Sequence, residues 1–166
     1  MNIYIEGPDA TGKTTLAEWL HETYGFEVEH LTAESPNTRA YHDMLMLQDK
    51  KVFDRFCLGE IVYSKIYGRV PKMTLDDCVQ LLEKAQAQQD IFIVLATSNL
   101  EILIKRLIER GELNYLSEIK EQNDEFIKLC YALKAVEYER FFVYDIARGY
   151  DDLYNLLRRE LEDAKV

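Results

Sequence analysis

Near the start of the chain, two glycines, a lysine and two threonines stand at Gly7-x4-Gly12-Lys13-Thr14-Thr15. This spacing can hold phosphate. The glycines let backbone N–H groups turn inward around an anion, and a following helix adds its positive N-terminal end. Gly7, Pro8, Asp9, Ala10, Thr11, Gly12, Lys13, Thr14 and Thr15 therefore form a candidate nucleotide-binding loop. Lys13 is expected to reach the β- and γ-phosphates of ATP, and Thr14 to offer its hydroxyl to Mg²⁺. An apolar run (Ile3, Tyr4, Ile5) precedes the motif, and Leu16, Ala17, Trp19 and Leu20 follow at helical spacing. That is the strand–loop–helix context such a loop needs.

A second pair, Asp54-Arg55, closes another apolar run. At the carboxyl end of a strand, where ligands sit in parallel sheets, an aspartate can hold Mg²⁺ or orient an acceptor. The arginine beside it can fork onto a phosphate. His21, His30 and His42 share no metal-ligand spacing and are not expected to act in catalysis. Cys57, Cys78 and Cys130 are odd in number and widely separated, which reads as reduced core thiols.

The elements that must position these groups alternate along the chain. Strands are expected at Asn2–Glu6, Phe26–Thr32, Lys51–Phe56, Ile91–Thr97 and Phe141–Asp145. "IFIVLA" is apolar throughout, as in a strand covered on both faces. Helices are expected at Lys13–Tyr24, Thr74–Gln89, Asn99–Arg110, Glu118–Glu137 and Tyr150–Asp163. Leu100, Leu103, Ile104, Leu107 and Ile108 trace one apolar helix face. Tyr63 and Tyr67 are also one helical turn apart. The alternation predicts an α/β fold with a parallel five-stranded sheet and helices on both faces, in one domain over 1–166.

Composition agrees with that reading. The 166 residues are 48% hydrophobic and 30% charged, with a formal charge of −10. An acidic chain without a Lys/Arg stripe argues against nucleic acid as partner. No leader and no apolar run of membrane-spanning length is present, so a cytoplasmic protein with no membrane partner is expected. Protein kinases are excluded, because neither H-R-D-x4-N nor D-F-G occurs.

Together these motifs resemble the thymidylate kinase-like branch of P-loop nucleoside and nucleoside-monophosphate kinases. Glu6, Gly7, Asp9, Gly12, Lys13, Thr14 and Thr15 fit the Glu-Gly-x-Asp-x-x-Gly-Lys-[Ser/Thr]-Thr loop of that branch. Asp54, Arg55, Phe56 and Tyr63 fit its Asp-Arg pattern, and Arg110, Gly111, Glu112 and Leu113 its lid, here spanning about 106–118. The resemblance implies the three-layer P-loop sandwich and a possible homodimer, since such kinases are commonly dimers. It implies that Asp9 contacts the acceptor's sugar hydroxyl, Arg55 holds the acceptor's phosphate and Tyr63 lies along the sugar. Ala10 stands where some relatives carry a loop arginine, so Arg106 and Arg110 are the implied phosphoryl-neutralising cations. The chain departs from the pattern at Gly59 (serine in the family), at Asn114-Tyr115 (Asp-Arg) and at Ala33 (arginine).

The expected reaction is transfer of the ATP γ-phosphoryl group to a deoxypyrimidine monophosphate such as dTMP, with Mg²⁺. Two alternatives stay open. Glu34, just after the second strand, can serve as the base for a nucleoside acceptor, as in deoxynucleoside kinases. The chain can also be a nucleotide-binding module without turnover.

Overall fold

In a computed structural model, residues 1–32, 41, 43, 45, 46, 50–133 and 138–163 are described. Glu34, Ala33 and His42 lie outside them. Five strands, β1 (Ile3–Glu6), β2 (Glu27–His30), β3 (Lys51–Asp54), β4 (Ile91–Ala96) and β5 (Phe141–Asp145), form one sheet in the order β2-β3-β1-β4-β5. Every pairing is parallel. The sheet brings all five carboxyl ends to one edge, with β1 at its centre.

Alternation along the strands sorts two cores. Ile3, Ile5, Val52, Ile91, Ile93 and Leu95 face α1 (Lys13–Tyr24), α4 (Leu100–Arg110) and α6 (Asp151–Asp163). Tyr4, Phe53, Phe92 and Val94 face α2 (Cys57–Ile66), α3 (Leu75–Ala87) and α5 (Ile119–Leu133). The second layer is aromatic: the Tyr4 ring stacks on Phe53 at 5.2 Å and on Phe92 at 5.4 Å. Burial of these rings supplies most of its cohesion. The Tyr4 hydroxyl donates to the buried Asp90 at 3.0 Å, so the phenol is not left unpaired.

The expected strands and helices form, with instructive differences. β2 is shorter than its apolar pattern suggests. Its last partner is Asp54, opposite His30, and beyond Asp54 the neighbouring strand offers no ladder. β3 stops because Arg55 takes a left-handed backbone (φ 78°) and Phe56 becomes the N-cap of α2. α2 itself was legible only through the Tyr63–Tyr67 spacing. The Thr74 cap is a full capping box, Thr74 accepting from the Asp77 amide and Asp77 from the Thr74 amide. Asn99 caps α4 through the Glu101 amide. Cys57, Cys78 and Cys130 are free and buried, as expected. No helix among the described residues is long and apolar enough to cross a membrane.

Candidate active site

The glycine loop leaves the carboxyl end of the central strand and runs straight into α1. Two glycines are demanded, Gly7 by space and backbone and Gly12 by its backbone. A Cβ on Gly7 (φ 139°) would lie 2.1 Å from the Leu95 carbonyl oxygen, and one on Gly12 (φ 88°) 2.5 Å from the Tyr150 hydroxyl. The Leu95 carbonyl is backbone and cannot yield, so Gly7 lets the loop sit down on the sheet; at Gly12, where the Tyr150 side chain could shift, the left-handed backbone still favours glycine. The Lys13 ammonium curls back over the loop, donating to the carbonyls of Gly7 (2.9 Å) and Pro8 (2.7 Å). Burial pushes its pKa down to about 8, partly countered by the nearby Asp9 carboxylate. A phosphate arriving in the loop would offer this cation a stronger partner than two carbonyls.

Next to the loop, the Thr14 hydroxyl donates to Asp54 Oδ2 at 2.7 Å. The second Asp54 oxygen, Oδ1, is buried and without a partner. The Thr14 hydroxyl and the Asp54 carboxylate, with one oxygen orphaned, form a hard-oxygen donor set that fits Mg²⁺, which keeps several waters and takes few protein ligands. Among the described residues no group of three or more His, Cys, Asp or Glu could hold a metal by protein ligands alone. His30 Nδ1 also lies 3.0 Å from Asp54 Oδ2, on the cavity wall. Its place was missed from sequence, because the two residues are 24 apart and meet only through strand register.

On the far side of the loop, Arg55 hooks back onto β1. Its amide donates to the Ile5 carbonyl at 2.8 Å, which aims the side chain over Asp9. Arg55 Nη2 donates to Asp9 Oδ1 at 3.2 Å, while Arg55 Nε is buried and unpaired. The Tyr63 hydroxyl donates toward the same oxygen at 3.4 Å, and the guanidinium lies 5.7 Å from the Tyr63 ring centre. Desolvation, then the neighbouring Asp9 carboxylate, hold the Tyr63 phenol well above its usual pKa, so it remains a donor.

Thus the structure brings Asp9, Gly12, Lys13, Thr14, Thr15, Asp54, Arg55, Tyr63 and Arg110 onto one cavity of about 630 Å³. Ala10 lines the same cavity, while Gly7, Pro8 and Thr11 do not; the Thr11 hydroxyl donates to the Pro8 carbonyl at 2.8 Å within the loop. The two lid arginines part company. Arg110 lines the cavity, whereas Arg106, one turn earlier, donates to the Ala10 carbonyl (3.0 Å) and the Tyr150 hydroxyl (3.1 Å). Tyr150 in turn donates to the Thr11 carbonyl. This brace of Arg106 and Tyr150 against the loop had no sequence signal, since it joins residues up to 139 apart. The segment 106–118 that the resemblance reads as a lid spans the end of α4, a 3-10 turn at Leu113–Tyr115 and the approach to α5.

One buried acid behind the loop was legible only as part of a motif. Glu6, at the end of β1, accepts from the amides of Leu58 (2.7 Å) and Gly59 (3.1 Å) in the first turn of α2. Its other oxygen is buried without a partner and would sit 3.2 Å from a Cβ on residue 59, a close but not prohibitive contact. Burial pushes the Glu6 carboxyl up to about 7 against the pull of those amides.

No protein-family model matches the chain, and no curated protein does. Solved structures do. The YorR protein of Bacillus subtilis, in complex with phosphorylated GDP, superposes with a TM-score of 0.78 at 19% identity, over 98% of this chain and 96% of that one. Deoxyadenosine kinase from M. mycoides, with bound dCTP, gives 0.64 at 19% identity, over 98% and 100%. Shikimate kinase from Acinetobacter baumannii, in complex with shikimate, gives 0.55 at 17% identity, over 99% and 94%. At such identities the likeness establishes the fold: this chain, the YorR protein and the two kinases are built on one parallel α/β plan.

Proposed function

We propose that this chain is an ATP-dependent phosphotransferase whose acceptor is a deoxynucleoside monophosphate, most simply a deoxypyrimidine monophosphate such as dTMP. One observation carries the reading. The Thr14–Asp54 pair and the Asp9–Arg55–Tyr63 cluster flank the same glycine loop and open onto the same cavity. A donor phosphate in the loop would then lie between a metal-binding pair and a guanidinium suited to a second phosphate. The fold is shared with a deoxyadenosine kinase, whose named acceptor is a nucleoside, so the choice of a monophosphate rests on the Arg55 fork.

The chain's own groups divide the work. Loop amides and Lys13 hold the donor's β- and γ-phosphates, Lys13 leaving the Gly7 and Pro8 carbonyls to do so. Thr14 and Asp54 would hold Mg²⁺, which when bound would supply positive charge against those phosphates. Arg55, with Nε free, takes the acceptor's phosphate as a fork. Asp9 Oδ1 and the Tyr63 hydroxyl face the acceptor's sugar. Arg110, on the lid side of the cavity, meets the charge spread over the transferring group, and Arg106 braces the loop that carries the donor. The acceptor monophosphate arrives ionised, so no base is required.

The test is ATP turnover with Mg²⁺ over a panel of deoxynucleosides and their monophosphates, with products identified by mass. A diphosphate formed only from a monophosphate is the expected result. Phosphorylated nucleoside would overturn the acceptor assignment and move attention to Glu34. Absence of acceptor-dependent turnover would leave a nucleotide-binding module.

A further inference from the structure

Gln122 carries no role in the reading so far, yet it is fully buried on α5 with its amide turned to the glycine loop. The Asp9 amide donates to Gln122 Oε1 at 3.0 Å, and Gln122 Nε2 donates to Asp9 Oδ2 at 3.1 Å. These two bonds close a ring between residues 113 apart, and they fix which end of the amide is oxygen. The carboxylate of Asp9 is thereby divided. Oδ2 belongs to Gln122, and Oδ1 remains on the side of Arg55 and Tyr63. Without the amide, Asp9 could turn about its side-chain torsions and swing Oδ2 onto Arg55, closing the ion pair and taking both oxygens away from a ligand.

We infer that Gln122 is a positioning residue for the acceptor side of the site: it locks Asp9 in the one orientation that leaves Oδ1 shared between Arg55, Tyr63 and an incoming sugar hydroxyl. This rests on the phosphotransfer reading for the identity of the ligand, but the Gln122–Asp9 link itself does not. The argument is energetic as well as geometric. A buried amide is tolerated only when its polar atoms are paired, and every bond described for this one goes to Asp9. A leucine would fill the same space without that requirement.

The experiment is a double-mutant cycle of Q122A and D9A, read as acceptor KM, kcat and ATP Kd, with melting temperature measured alongside. Loss of a hydrogen bond to a charged group predicts that Q122A raises the acceptor KM about 10- to 100-fold while ATP Kd changes less than about twofold. In the D9A background the same substitution should change the acceptor KM by less than about twofold, because the carboxylate that Gln122 orients is gone and only the bond from the residue 9 amide remains. Q122E, which keeps the shape and still accepts from the Asp9 amide but sets carboxylate against carboxylate, should impair the acceptor KM at least as much as Q122A. Effects that add across the cycle, or that fall on ATP Kd, overturn the inference. If the parent chain turns over no acceptor, the proposed reaction fails separately. Melting temperatures then decide: additive shifts for Q122A and D9A overturn the positioning role, and coupled shifts uphold the link.

Discussion

At the scale of single residues, the site is organised by charges held slightly out of their preferred state. Lys13 is buried with only carbonyl partners, and its pKa is depressed to about 8. It gains most when an anion enters the loop. K13A should therefore lower turnover on the order of 10³-fold, the loss seen when a preorganised donor to developing charge is removed. The fold should survive, since α1 is anchored by Leu16, Ala17 and Leu20. Steady-state kinetics with a thermal melt checks both halves; near-normal turnover would remove Lys13 from the site. Arg55 shows how the sequence was readable in type and unreadable in direction. Asp-Arg after an apolar run announced a phosphate fork, but the left-handed backbone that aims it over Asp9 (φ 78°) follows from the hook onto Ile5. His30, Gln122 and Tyr150 were invisible because each meets its partner across the sheet or the helical layer.

At the scale of elements, α2 is held by a cap from another element. Glu6 at the end of β1 takes the first-turn amides of α2, a charge placed where the helix end is positive. In the unfolded chain this carboxyl loses its proton near 4.5, in the fold near 7. Between those values the folded state binds the extra proton, so stability falls as pH rises and the penalty is complete above about 7. Across that window the change is on the order of 3 kcal/mol. E6Q keeps an acceptor for both amides and removes the titration. Denaturant melts from pH 5 to 7.5 should show the parent losing ground to E6Q as pH rises; parallel curves would refute this. The α3 cap makes the contrasting case. T74A removes one side of a local capping box and should cost about 1 kcal/mol, with kinetics unchanged. That cap was legible in "TLDD", since all its partners lie within one turn.

For the whole molecule, the parallel sheet is what makes one site from distant segments. Its order, β2-β3-β1-β4-β5, sets the carboxyl ends of β1, β2 and β3 side by side, and with them the loop, His30 and Asp54. Ligand binding at that edge should stabilise the entire fold. At about 100 times its Kd, Mg²⁺-ATP is expected to add about 2.7 kcal/mol and raise the melting temperature by about 5–10 °C. The same addition to K13A should give little shift, and an equal shift would place the nucleotide elsewhere.

Periodicity and local chemistry were enough for the alternating strands and helices, the parallel class, the glycine loop and the capped helix starts. Those signals live within one or two turns of chain, where steric and hydrogen-bonding preferences act directly. Strand order, the stop of β3 at Asp54 and the parting of Arg106 from Arg110 were decided by packing. So was the choice of Gln122 as the partner of Asp9. The physical reason is common to all of them: each depends on which groups meet across long stretches of chain, 24 to 139 residues for the polar pairs at the site, and only the closed core brings those groups together.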